Sequence, residues 1–119
     1  MIDHGVEFWQ YLDALAEGSR LVVDRPQGTT HPRYPGQTYP LDYGYLEGTT
    51  TIDGGGVDAW IGSQGTDRIT GILCTVDLYK RDGEMKLLFG CTSDDVHIIL
   101  DFVNSERMRA IYIPRHAGG

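Results

Sequence analysis

The sequence predicts an α+β fold in a single domain. It is a small, strongly curved, mainly antiparallel sheet of barrel-like form, with one helix near the N-terminus and one in the C-terminal region. Three observations carry that prediction. Apolar residues recur at helical spacing in two stretches, one towards each end of the sequence. Between them lie short segments rich in β-branched and aromatic residues, separated by turns of Gly, Pro and Asp. The 119 residues suffice for one core but leave no room for a second. Consecutive strands with short links pair antiparallel, and there are too few of them for a sandwich of ordinary size.

Residues 3–17 place Phe8, Trp9, Leu12, Leu15 and Ala16 on one stripe, with Asp3 as a cap and Gly18 as a stop. This is a helix that packs over a sheet. Leu21 to Asp24 reads as a short strand. Pro26 to Pro40 has prolines at 26, 32, 35 and 40 and glycines at 28 and 36, so no regular element survives there. A loop this long in a small domain points to function, and it carries His31, Arg33 and Tyr34, with Arg25 just ahead of it. Tyr39 to Glu47 resumes an extended, aromatic pattern. Thr49 to Gly56 is turn-rich, Val57 to Gly62 is a strand, and Gln64 to Asp67 is a turn. Ile69 to Tyr79 is the longest β signal; Arg81 to Gly83 turns it back into a strand from Glu84 to Cys91. Thr92 opens the second helix, with Asp94 and Asp95 in its first turn, where the helix dipole favours negative charge. Val96, Ile99, Leu100 and Val103 form its buried face. Met108 to Pro114 is a last strand, and Gly118 and Gly119 are expected to fray. Ile69–Leu78 and Leu87–Cys91 are apolar on both strand faces, which suits a buried sheet or a subunit interface.

The net charge of −7 argues against nonspecific nucleic-acid binding, which needs clustered Lys and Arg. It leaves a small phosphorylated substrate open, because metal ions bridge acidic sites to anionic ligands. Nothing approaches the ~18 consecutive apolar residues of a membrane span, and Met1 to Gln10 lacks the pattern of a signal peptide. Cys74 and Cys91 sit inside apolar runs and read as reduced core residues, so a cytosolic location is expected.

The acidic residues between 53 and 84 hold the chemical interest. Asp53 and Asp58 bracket Gly54-Gly55-Gly56-Val57, and a glycine run lets the backbone turn sharply enough for both carboxylates to face one point. Mg²⁺ prefers such oxygen ligands. Asp77 closes the long strand. Asp82, Glu84 and Lys86 alternate with Gly83 and Met85, so they share one face of an extended segment. Each also fits turn chemistry or a solvated hairpin end.

Taken together the motifs are more specific. Tyr39-Pro40-Leu41-Asp42-Tyr43-Gly44-Tyr45, then Gly48-Thr49, then Asp53-Gly54-Gly55-Gly56-Val57-Asp58 resembles the core of the family I soluble inorganic pyrophosphatases. Val22-Val23-Asp24-Arg25 looks like that family's strand ending in an active-site arginine. Gly71 to Asp77 looks like its segment ending in a metal-binding aspartate. The resemblance implies an OB-like barrel, a homo-oligomer (hexamers being common in bacteria), and hydrolysis of pyrophosphate by a water activated on Mg²⁺, with Mn²⁺ as an alternative. Carried over, Asp53, Asp58, Asp77 and Asp82 or Glu84 become metal ligands. Arg25, Tyr43 and Lys86 become phosphate contacts, and Asp53, Asp58 and Tyr43 the catalytic centre. His31 and Arg33 offer further cationic contacts. The sequence departs from the family where Gly55 replaces a middle aspartate that helps activate the water. It also lacks the family's N-terminal lysine and glutamate and its C-terminal tyrosine–lysine pair. Two functions are therefore expected: metal-dependent hydrolysis of pyrophosphate, or a fold that has lost this reaction and binds or acts on another phosphorylated small molecule.

Overall fold

The computed structural model describes residues 3–115, so the expected fraying of Gly118 and Gly119 lies outside it. The elements run α1 (His4–Glu17), β1 (Arg20–Arg25), β2 (Asp42–Glu47), β3 (Val57–Ile61), β4 (Ile69–Asp77), β5 (Asp82–Phe89), α2 (Ser93–Val103) and β6 (Met108–Pro114). Asp3 caps α1 as its position suggests, its carboxylate accepting from the N–H groups of Gly5 and Val6 at 2.9 and 3.2 Å.

The strands form a six-stranded mixed sheet in the order β1-β2-β3-β5-β4-β6. All pairings are antiparallel except β3 with β5, where Ala59, Trp60 and Ile61 face Leu87, Leu88 and Phe89 in parallel. The β4–β5 hairpin folds inward, so β5 rather than β4 lies next to β3. The expected barrel closure is not seen: β1 and β6 stand at opposite edges of an open sheet.

The reason lies in how the two faces are covered. Side chains alternate along each strand. Ala59, Ile61, Ile72, Leu87 and Phe89 pack with Trp9 and Leu12 of α1. Trp60, Leu73 and Leu88 point the other way and pack with Val96, Ile99 and Val103 of α2. Each helix shields one face, so the sheet buries both without curling on itself. Most of the two-faced apolar runs is buried within the chain in this way, while Val76 near the end of β4 and Leu78 just after it stay exposed. Cys91 is buried in the α2 layer and Cys74 is half-buried, both as free thiols. Burial, with help from Asp95, pushes the Cys91 thiol up to about 12.

One side chain fastens α2 to the sheet. Asp95 and Thr92 form a reciprocal cap, and Asp95 Oδ2 accepts from the Thr92 N–H at 2.9 Å, the Ser63 N–H at 2.9 Å and the Ser63 hydroxyl at 2.8 Å. Burial alone would raise this carboxyl; the bonds from Thr92 and Ser63 outweigh it and hold the pKa below the usual range. A depressed carboxyl contributes stability above its unfolded pKa and loses it as pH falls through the folded value. Asp95→Ala should cost about 2–3 kcal/mol in urea unfolding at pH 7, since it strands buried donors. That deficit should shrink as pH falls below ~4; a pH-independent deficit would count against this role.

Candidate functional site

Helix α2 covers only part of its face. Where it ends, the sheet floor stays open between the β1–β2 loop on one side and the turn from α2 into β6 on the other. The resulting cleft has a volume of about 280 Å³ and is lined by Arg25, His31, Tyr43, Asp53, Asp58, Glu84 and Lys86, all expected site residues. Lys80 and Arg107, which the sequence did not single out as site residues, line it as well. A second cleft of about 430 Å³ lies beside α1 around the Asp13–Arg115 pair and contains none of the expected residues.

Arg25 reaches the cleft because β1 is irregular. Its register with β2 shifts between Val23 and Arg25, which sets Arg25 opposite Tyr43. Gly44 permits this close crossing, since a Cβ there would collide with the Val22 carbonyl. The Arg25 guanidinium lies 5.9 Å from the Tyr39 ring centre, and its Nη1 is buried with no acceptor among the described residues.

The floor of the cleft is a network around one ammonium. Lys86 Nζ donates to Tyr43 Oη at 3.0 Å, to Asp58 Oδ2 at 3.1 Å and to Glu84 Oε2 at 2.9 Å. Those bonds use all its donors. Tyr43 in turn donates to Asp58 Oδ2 at 2.7 Å. Burial alone would lower the Lys86 pKa; the Tyr43 oxygen, Asp58 and Glu84 outweigh it and leave it raised, so the ammonium stays charged. Burial raises the Tyr43 phenol, which stays protonated and donating.

Asp77 departs from its expected role. Its carboxylate is fully buried and does not line the cleft. Oδ1 accepts from the N–H groups of Tyr79 and Lys80 at 2.9 and 3.0 Å, and Oδ2 from Arg107 Nη2 and Nε at 2.8 and 3.2 Å. With two bonds on each oxygen, its lone pairs are taken. Burial alone would raise this carboxyl, but the Lys80 N–H and Arg107 outweigh it and hold it below the usual range. Asp82 faces Asp77 in register at the hairpin end and lies beside Leu78 and Arg81, away from the cleft. Of the two alternatives for that position, Glu84 is the one in the cleft. Arg33 does not line it either.

Asp53, Asp58 and Glu84 offer the hard oxygens that Mg²⁺ or Mn²⁺ would take. However, the Lys86 ammonium stands between Asp58 and Glu84, and Asp53 is bonded within its own loop by the Thr51 hydroxyl and the Gly55 N–H. Among the described residues no three His, Cys, Asp or Glu side chains gather closely enough to hold a metal. As arranged, the set does not fit one.

Comparison with known proteins finds no matching family model and no matching curated protein. No helix among the described residues is long and apolar enough to cross a membrane.

Asp77 is thus read as the anchor of Arg107. Removing one partner of so buried a pair strands the other charge, so Asp77→Ala should lower stability by about 3–5 kcal/mol in urea unfolding. A loss under 1 kcal/mol would argue that the pair contributes little.

Proposed function

We propose that the cleft binds the phosphoryl group of a small phosphorylated molecule through Arg25, Lys80 and Arg107. One observation carries this reading. In a chain of net charge −7, four of the ten Lys and Arg residues (Arg25, Lys80, Lys86 and Arg107) line one cleft. Lys86 is neutralised locally by Asp58 and Glu84, and Arg107 gives Nε and Nη2 to Asp77 while its Nη1 has no bond among the described residues. Arg25 keeps a buried nitrogen with no acceptor among the described residues. Guanidinium groups so placed match phosphate oxygens in charge and in donor geometry. The fork of Arg107 is also held in place in advance by Asp77, which reduces the entropy lost on binding.

The resemblance to family I pyrophosphatases supports pyrophosphate as the first ligand to try. Of the two functions expected from sequence, the geometry favours the second, a protein that binds or acts on a phosphorylated small molecule without the family's hydrolysis. Gly55 stands where the family has its middle aspartate, Asp77 is committed to Arg107, and Lys86 occupies the space between Asp58 and Glu84.

The test uses the full chain with pyrophosphate. Calorimetric titration in EDTA should detect binding that weakens with salt and falls ~10–100-fold in Arg25→Ala, as expected for losing a charge-assisted contact. Phosphate release with Mg²⁺ should not exceed that of Asp58→Asn. Mg²⁺-dependent release at ~1 s⁻¹ or more, lost in Asp58→Asn, would instead establish the hydrolase.

A further inference from the structure

Resting on the phosphoryl-binding reading, we propose that the ligand is a phosphate ester whose organic part is a planar heteroaromatic ring, as in a nucleotide. The observation behind it is a run of aromatic rings beside the cations, of which His31 and Tyr39 line the cleft and Tyr34 packs against His31 outside the lining. Arg107 lies 4.8 Å from the Tyr34 ring centre, and Tyr34 lies 4.8 Å from His31. His31 is nearly parallel to Tyr39, at 6.1 Å and 12°. Arg25 lies 5.9 Å from the Tyr39 ring centre. Two of the cleft's cations therefore contact the first and the last ring of this series. That juxtaposition suits a ligand with an anionic end and a flat π system, since bases stack on such side chains whatever their identity.

The polar atoms of the wall narrow the choice further. Trp60 lines the same cleft, is 1% exposed, and its indole N–H has no acceptor among the described residues. Buried donors without partners are rare in folded proteins. Arg25 Nη1 is a second such donor in the same walls. His31 Nδ1 accepts from the Arg33 N–H at 3.0 Å, which leaves the hydrogen on Nε2 as a donor. Burial, and then the charges of Arg25, Arg107, Arg33 and Lys80, lower the His31 pKa and keep the ring neutral near pH 7. A phosphate bearing an alkyl or prenyl chain would fill the aromatic wall but supply no acceptor to Trp60 or His31. A sugar phosphate would supply acceptors but no flat face. Bare pyrophosphate satisfies the arginines alone. A heteroaromatic ring with nitrogen or carbonyl acceptors answers both features. The cleft volume, about 280 Å³, lies near the lower end for small organic ligands, roughly 300 Å³.

Binding of ADP, GDP, CDP and UDP would be measured by calorimetry in EDTA against pyrophosphate, ribose 5-phosphate and a short prenyl diphosphate. At least one nucleotide should bind 10-fold or more tightly than all three references. His31→Ala should lower that nucleotide-over-pyrophosphate preference by roughly 5-fold or more, in line with the loss of one stacking face. The Trp60 indole N–H resonance should move on nucleotide binding. Equal affinities for nucleotides and pyrophosphate, or a prenyl diphosphate that binds best, would overturn this inference and leave the phosphoryl site standing. Failure of every phosphorylated compound, pyrophosphate included, would overturn both.

Discussion

A charged ammonium inside a protein has to be surrounded by acceptors, and the site is organised around that requirement. The Lys86 side chain is 9% exposed and touches Tyr43, Asp58 and Glu84. Those partners come from β2, β3 and β5. The parallel contact between β3 and β5 is what brings Asp58 and Lys86 to neighbouring strands, and the antiparallel β2–β3 register brings Tyr43 beside them. The alternation that sends Leu87 and Phe89 into the α1 layer sends Lys86 to the opposite face, beyond the reach of α2. The cleft follows from this: it is the part of the α2 face where the sheet presents charge instead of Leu and Ile.

A second buried ion pair repeats the device. Asp77 ends β4 by taking the Tyr79 and Lys80 N–H groups onto its own carboxylate, so the chain leaves the ladder there. Its other oxygen holds Arg107, which comes from the turn before β6. Leu78 N–H closes the same corner by bonding the Arg107 carbonyl at 2.8 Å. Arg107 thus enters the cleft already oriented, with Tyr34 stacked against it. A guanidinium fixed this way loses little freedom on binding an anion.

The elements themselves were legible in the sequence, because each rests on local patterns. The Asp3 cap, the apolar stripe ending at Gly18 and the Thr92 cap fall where the spacing puts them. Strand ends were less clear: the expected Ile69–Tyr79 strand stops at Asp77, and β5 starts at Asp82 rather than Glu84. The side-chain bonds of Asp77 that set the first of these limits have no periodicity. The strand order was not legible either. Apolar residues on both faces announced a buried sheet, but nothing local says that the β4–β5 hairpin folds inward to give a parallel neighbour and an open sheet. Arg25, Tyr43 and Asp58 were singled out by the motifs that resemble family I pyrophosphatases, and Glu84 and Lys86 by strand alternation as well; all five line the cleft. Arg107 was missed because its partner Asp77 lies thirty positions away and no motif links the two.

The same residue types at the same spacing therefore permit two chemistries, and the cation decides between them. Carboxylates that converge on a cleft need positive charge, and a divalent ion or a side chain can supply it. Here Lys86 sits between Asp58 and Glu84, and Arg107 sits against Asp77. Charge supplied by side chains is carried in the sequence and tied to the backbone. The carboxylates then act as holders of cations, and one arginine keeps a buried donor with no acceptor among the described residues. That arginine is Arg25, placed by a shifted register and a glycine without which β1 could not cross β2 so closely.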